Sequence, residues 1–371
     1  MIWDNSSTKT VYSKNLPYTA SGKFSAEVDG LSPNTQYSIQ AFMTVSDGNG
    51  GHKEISSEVQ TFTTRSESGV DFSRLNGYGM PDVSAIVTGL GTSGTNDRDD
   101  HWYRYNTSNN KRQIAVHTYT HPTSSSETIN YVVLYDSNRY APLWTAHTMN
   151  STQWPDNNVG RNEEWTNDPA ISLTQQSGLD NAGTVGFSKG HLVASDYRQS
   201  SVKQNKQTFY YSNQAPQWQD GFNSGVWETL ENRVKTKTPS GTTMLYVITG
   251  VLYEGTITYK SSGSLSVPIP SHFYKCIMQC TFDGSTITDA KGIAFVYTNQ
   301  SHSGNYYDKD SNTNEVFVTT IDDLEDRAGF NFFANVPADL QNIAEANTNH
   351  GWFTGVTSKS NAASPTGYRY W

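Results

Sequence analysis

Charge is scarce in this sequence, and its balance is wrong for a protein that coats a polyanion. Only 16% of the 371 residues are charged, and 35 acidic side chains outnumber 26 basic ones, a net charge of -9. That argues against tight holding of DNA or RNA by charge alone, because that mode draws on many Lys and Arg contacts to phosphate. A hydrolase must release its product, however, and a few basic residues around one cleft are enough for it. Long apolar runs are also missing. No stretch approaches the roughly 18 to 20 apolar residues that cross a bilayer, so membrane insertion is not expected. Met1-Ile2-Trp3-Asp4 has neither the basic start nor the apolar run of a signal peptide. Cysteine is nearly absent, Cys276 and Cys280 being the only two. In the strand-like run Phe273 to Phe282 they share one face about 13 Å apart, at ~3.3 Å per residue. A disulfide needs Cα atoms within about 7 Å, so both read as small buried apolar residues.

What is plentiful is Asn, Ser, Thr, Gly and Tyr, with 12% aromatic residues in all. The length exceeds one typical domain, and the aromatics supply a sizeable core. With little lysine, this composition predicts an exported protein: secreted, periplasmic or on the cell surface.

Residues 1 to 65 consist of short alternating runs between turn residues, with no amphipathic helix. Phe24–Val28, Gln36–Phe42 and Glu58–Thr63 have the period of strands, which predicts a small β-sandwich-like unit. Polar residues follow, and 66–79 is the expected linker to a second domain at 80–371. There, strands mix with occasional helices. Asn130–Tyr135, Met244–Gly250 and Ile293–Tyr297 are apolar enough to be buried strands. Gly221 to Lys235 reads as a helix, because Val226, Leu230 and Val234 recur every four residues, with Trp227 beside them.

On such a helix Asn223, Trp227 and Glu231 lie one above another. A neutral oxygen and a carboxylate on one line suit a magnesium ion, which takes few protein ligands and keeps several waters. Taken singly, Asn223 is equally a helix cap and Glu231 a solvated carboxylate. His191 follows Lys189-Gly190 and has the ordinary pKa best suited to taking a proton from water, although a lone histidine is also a common structural residue. Arg161 can grip phosphate with its planar fork or be one more surface arginine.

In combination these residues form an ordered pattern: Ser188-Lys189-Gly190-His191, then Ser212-Asn213-Gln214-Ala215-Pro216-Gln217, then Asn223-x-Gly225-x-Trp227-x-x-Leu230-Glu231. Across residues 80 to about 350 the chain resembles the DNA/RNA non-specific endonucleases, the ββα-metal nucleases. Leu134-Tyr135-Asp136, Pro270 to Lys275 and Ile321 to Glu325 are further family-like segments. The resemblance implies an α+β fold with a central antiparallel sheet and flanking helices. It implies His191 as general base, Asn223 as direct ligand of Mg2+ or another divalent cation such as Mn2+, and Glu231 acting on the ion through water. Asn213 would support the histidine or the substrate, and Arg161 and Lys189 would contact phosphate. The implied substrate is DNA, RNA or both, cut without sequence preference to 5′-phosphate and 3′-hydroxyl ends. Gly30 to Tyr37, with Phe62-Thr63-Thr64, resembles the second half of a fibronectin type III module over residues 10 to 65. A whole module needs roughly 90 to 100 residues, so this one is partial.

One departure stands in the pattern. Where the family has Asp-Arg-Gly-His, this chain has Ser188-Lys189-Gly190-His191. Lysine keeps the charge and loses the bidentate fork, and serine is not an acid. An inactive descendant that binds nucleic acid or a protein partner is therefore the alternative to an enzyme, and an extracellular scaffold built on the β module is another.

Overall fold

The computed structural model describes residues 2–4, 11–12, 35–46, 48, 51–63, 74–176, 186–262, 265–304, 306–313 and 315–353. The chain divides into two compact units, residues 1–70 and 71–371.

In the first unit, Ile2–Asp4, Val11–Tyr12, Gln36–Ile39 and Gln60–Thr63 form a four-stranded antiparallel sheet. Phe42–Ser46 and His52–Ser56 form a separate hairpin. The expected run Gln36–Phe42 is thus interrupted, and Phe42 opens the hairpin instead. Tyr37 is buried. The expected strand Phe24–Val28 and residues 66–73 of the expected linker lie outside the described residues.

The second unit is built on one nine-stranded antiparallel sheet. Its order in space is Val318–Thr319, Thr286–Thr298, His272–Asp283, Thr243–Leu252, Ala141–Met149, Glu127–Asp136, Arg112–Thr120, Trp102–Thr107 and Val87–Gly94. The three apolar runs expected as strands all lie in it, and each is longer than its apolar part. Tight turns explain most of the neighbours. Gly284, for instance, takes φ 62 between the two longest strands, a left-handed conformation that glycine adopts without a steric penalty.

One adjacency is not local. Ala141–Met149 pairs with Thr243–Leu252, and the described residues between 150 and 242 lie outside this sheet. Every residue assigned to chemistry lies in that excursion.

Side chains alternate across the pleat, so the sheet has two different faces. Val247, Phe273, Ile277 and Phe295 pack with Leu192, Phe222, Trp227 and Leu230 of the excursion. Tyr131, Val133 and Tyr135 pack with Ala170, Ile171 and Val193 on the same side. On the other face Trp144 meets Phe330 and Tyr274 meets Phe332. Helices Ile321–Ala328 and Ala338–Glu345 cover this face. They come so close that a Cβ on Gly292 would sit 2.7 Å from Ile321 Cδ1 and 2.4 Å from the Ala344 carbonyl. Cys276 and Cys280 are buried and unpaired in their strand, as the spacing requires.

Candidate active site

Within the excursion, Phe187–His191 pairs antiparallel with Gln214–Trp218, placing His191 opposite Gln214 and Phe187 opposite Trp218. An irregular helical segment, Gln219–Trp227, follows, and then a regular helix, Glu228–Thr236. The expected single helix from Gly221 is corrected here. Gly221 has φ 75, and Ser224 and Gly225 are also non-helical. A Cβ on Gly221 would lie 2.4 Å from the His302 carbonyl oxygen, so close backbone packing bends the chain at this point. Asn223 therefore precedes the helix and is not stacked above Trp227 and Glu231. Val226, Leu230, Val234 and Trp227 do form the buried stripe that their spacing predicts.

His191 sits among aromatic rings: Trp165 at 4.8 Å and Phe209 at 5.0 Å between centroids. Its Nε2 is buried without a hydrogen-bond partner. Burial, reinforced by the charge of Arg161, holds the ring well below the usual histidine value. The imidazole is consequently neutral near pH 7, the form able to accept a proton.

Arg161 and Lys189 border the same aromatic cluster. The Arg161 guanidinium lies 4.9 Å over Phe209, donates to Glu163 at 3.0 Å and donates to Ser195 Oγ at 3.2 Å. Glu163 also accepts from the Trp165 indole at 3.0 Å. Lys189 Nζ lies 5.3 Å from the centre of the Trp165 ring and 5.6 Å from that of Tyr211. Two cations thus lie against the aromatic rings that surround the histidine.

Asn213 is placed differently from the substrate-contacting role the resemblance implies. It is fully buried, and its Oδ1 accepts from the Val193 amide at 2.9 Å. Its Nδ2 donates to the carbonyls of Val193 and Thr208. Committed in this way to backbone, the side chain fixes the chain just after His191 and has no face for substrate. These bonds fit the other expectation, support of the segment that carries the histidine.

Gln217, part of the ordered pattern but given no role by it, orients the neighbouring Asn223 amide. The Asn223 Nδ2 donates to Gln217 Oε1. That bond leaves the Asn223 carbonyl oxygen, the only atom of the amide suited to a hard cation, on the other side of the group. Gln217 in turn lies across Gly190, where a Cβ would be 2.4 Å from Gln217 Cβ. Glycine before the histidine makes room for the glutamine that orients the asparagine.

Glu231 is tied to other groups. Its carboxylate accepts from the Trp227 indole at 3.0 Å, and its carbonyl accepts from the Tyr197 hydroxyl at 3.1 Å. Beneath them Lys275, fully buried, lies 4.7 Å from the Trp227 ring centre and donates to Thr249 Oγ1 at 2.9 Å. Burial raises the Glu231 carboxyl and lowers the Lys275 ammonium, and each charge favours the other. A carboxylate held near neutrality by burial would be stabilised in its charged form by a divalent ion nearby. The Asn223 amide oxygen and the Glu231 carboxylate are each hard oxygen donors, the chemistry that suits a largely hydrated Mg2+ or Mn2+. The one group of three His, Cys, Asp or Glu side chains close enough to share an ion, among the described residues, is Asp322, Glu325 and Glu345 on the two C-terminal helices.

Sequence reading missed a second buried network altogether. His117 bridges two carboxylates, Asp99 at 2.8 Å from Nδ1 and Asp168 at 3.0 Å from Nε2. Burial by itself would depress this ring, but Asp168 and Asp99 outweigh it and raise its pKa to about 10. Tyr210 donates to Asp99 and Ser212 to Asp168, so the network braces the segment leading into Asn213.

No helix among the described residues is long and apolar enough to cross a membrane. The chain is similar to several nucleases, three of which follow. "Nuclease 1, mitochondrial" of Schizosaccharomyces pombe is 28% identical over 56% of this chain and 65% of its own length. "Nuclease C1" of Cunninghamella echinulata is 29% identical over 55% of this chain and 80% of its own length. Human "Nuclease EXOG, mitochondrial" is 27% identical over 59% of this chain and 60% of its own length. The chain therefore spans less than two thirds of the first and third of these relatives. Two of the three are mitochondrial by name, which overturns the expectation of an exported protein. Asn, Ser and Thr here fill turns and buried hydrogen-bond networks, and such a composition carries no address. Residues 110–339 match the family described as DNA/RNA non-specific endonuclease, and the chain belongs to that family of phosphodiester-cleaving nucleases.

Proposed function

We propose that this protein is a divalent-metal-dependent endonuclease that hydrolyses DNA, RNA or both without sequence preference, leaving 5′-phosphate and 3′-hydroxyl ends. The observation that carries this reading is the neutral His191, set among Trp165 and Phe209 with Arg161 and Lys189 on the same rings, beside an Asn223 amide oriented by Gln217. His191 takes the proton from the attacking water. Arg161 and Lys189 oppose the negative charge that grows on the phosphate, and their contacts to phosphate carry no base information. Asn213 holds the backbone after His191, so the ring keeps its place. Asn223 directly, and Glu231 through water, would hold Mg2+ or Mn2+, which when bound supplies charge stabilisation to the phosphate and the leaving oxygen.

The test is degradation of plasmid DNA and of RNA with magnesium and with chelator, for wild type and His191→Ala. We expect cleavage that chelator abolishes, and a loss of about two or more orders of magnitude in the variant. Binding without cleavage under every condition would favour the inactive descendant, for which Ser188-Lys189 is the motivating feature. Cleavage at full rate in chelator would remove the metal from the reading.

A further inference from the structure

A cavity of about 270 Å³ opens at the far end of the site hairpin, and none of the roles above uses it. Phe187 and Trp218, the pair at the open end of the hairpin, form its aromatic wall. Their rings meet edge to face at 5.2 Å, an arrangement that leaves ring surface available to a third flat group. The wall is rigid: Asn299 accepts from the Trp218 amide at 2.8 Å and donates to the carbonyls of Pro216 and Pro270, both at 2.9 Å. The Trp218 indole nitrogen is buried and has no partner. Thr256, Thr258, Gln300 and Ser301 bring hydroxyl and amide groups to the rim.

Size and charge narrow the occupant. The volume is below the ~300–1,000 Å³ of drug-sized sites, so it suits one ring system rather than a whole ligand. Lys260 Nζ lies 4.7 Å over the Phe187 ring, placing positive charge at the wall of a chain whose net charge is -9. That favours a flat group attached to an anion. Position agrees, since Phe187 and His191 are four residues apart on one strand, about 13 Å at ~3.3 Å per residue. With a rise of ~3.4 Å per stacked nucleotide, this is a few nucleotides along a strand.

We propose that the cavity walled by Phe187 and Trp218 receives one unstacked nucleobase of the strand that is cut at His191, making it a base-stacking subsite without sequence selection. The inference rests on the nuclease reading, and its test needs no catalysis. Full-length protein in chelator and low salt is titrated into a labelled short single-stranded DNA and into the same sugar-phosphate strand without bases, and anisotropy reports binding. Wild type should bind the base-bearing strand about tenfold more tightly, the scale of one base–aromatic stack. Trp218→Ala should remove that advantage and leave the abasic strand's affinity alone, while Trp218→Phe should retain it. Thr258→Trp, which fills the cavity and keeps its wall, should act like Trp218→Ala if the latter fails to fold. Equal wild-type affinity for the two strands would overturn the inference and leave the nuclease reading standing, as would both variants weakening both strands alike. Wild type binding neither strand would remove both.

Discussion

The indole N–H of Trp227 is donated to the Glu231 carboxylate at 3.0 Å, one turn along the site helix. Lys275 lies 4.7 Å from the centre of the same ring, and its buried charge favours the ionised Glu231 carboxylate. Trp227→Phe keeps the ring over Lys275 and removes only the donor. The magnesium concentration giving half-maximal cleavage should rise about tenfold, the scale of one hydrogen bond to a charged group. A magnesium titration of the two proteins checks this, and identical midpoints would detach Glu231 from the ion.

Gly190→Ala should do comparable damage by another route. The new Cβ would lie 2.4 Å from Gln217 Cβ and 2.6 Å from its Oε1, displacing the partner of the Asn223 amide. Cleavage should again need more magnesium, and Asn223→Ala should add little to the alanine at 190, because neighbours acting through one chain of contacts are not additive. Independent, additive losses in the double variant would break the proposed link.

Lys189→Ala should lower turnover, whereas Lys189→Arg should preserve or raise it. Arginine keeps the charge, adds an aligned second donor for phosphate, and stacks on Trp165 and Tyr211 as lysine does now. Steady-state kinetics on one DNA substrate decides. Wild-type turnover in Lys189→Ala would assign the charge to Arg161 alone.

Alkaline pH should weaken the fold through His117. Its pKa stands at about 10 in the native protein against ~6.5 when unfolded, so the folded state holds the proton more tightly. The stabilisation is fully present below pH ~6.5 and is lost as pH rises through about 10. His117→Gln should flatten this slope and cost roughly 3–5 kcal/mol, because it leaves two buried carboxylates without their cation. Denaturant melts from pH 6 to 10 would show it, and a slope unchanged by the substitution would place the alkaline transition elsewhere.

Much of the site was legible because its signals are local. The four-residue spacing of Val226, Leu230 and Val234 identifies a buried helical stripe whatever surrounds it, and the ordered residues from Lys189 to Glu231 carry the family resemblance. The helix start was not legible, because Gly221 bends where its backbone meets His302, a residue 81 positions away in the sequence. For the same reason the sequence could not reveal that Asn213 spends every side-chain hydrogen bond on backbone.

By itself, then, the sequence determined the helical stripe, the apolar strands, the identity of the basic and amide side chains, and the family to which they point. Tertiary structure alone decided that the described residues between 150 and 242 lie outside the sheet whose adjacent strands they link, bringing Arg161, Lys189 and His191 around one aromatic cluster. It also decided that Lys275 comes to rest beneath Trp227, and that His117 is shared by Asp99 and Asp168. The physical reason is that burial and charge pairing depend on neighbours distant in the chain, so the protonation of His191, Glu231 and His117 is a property of the packed sheet and not of any local run of residues.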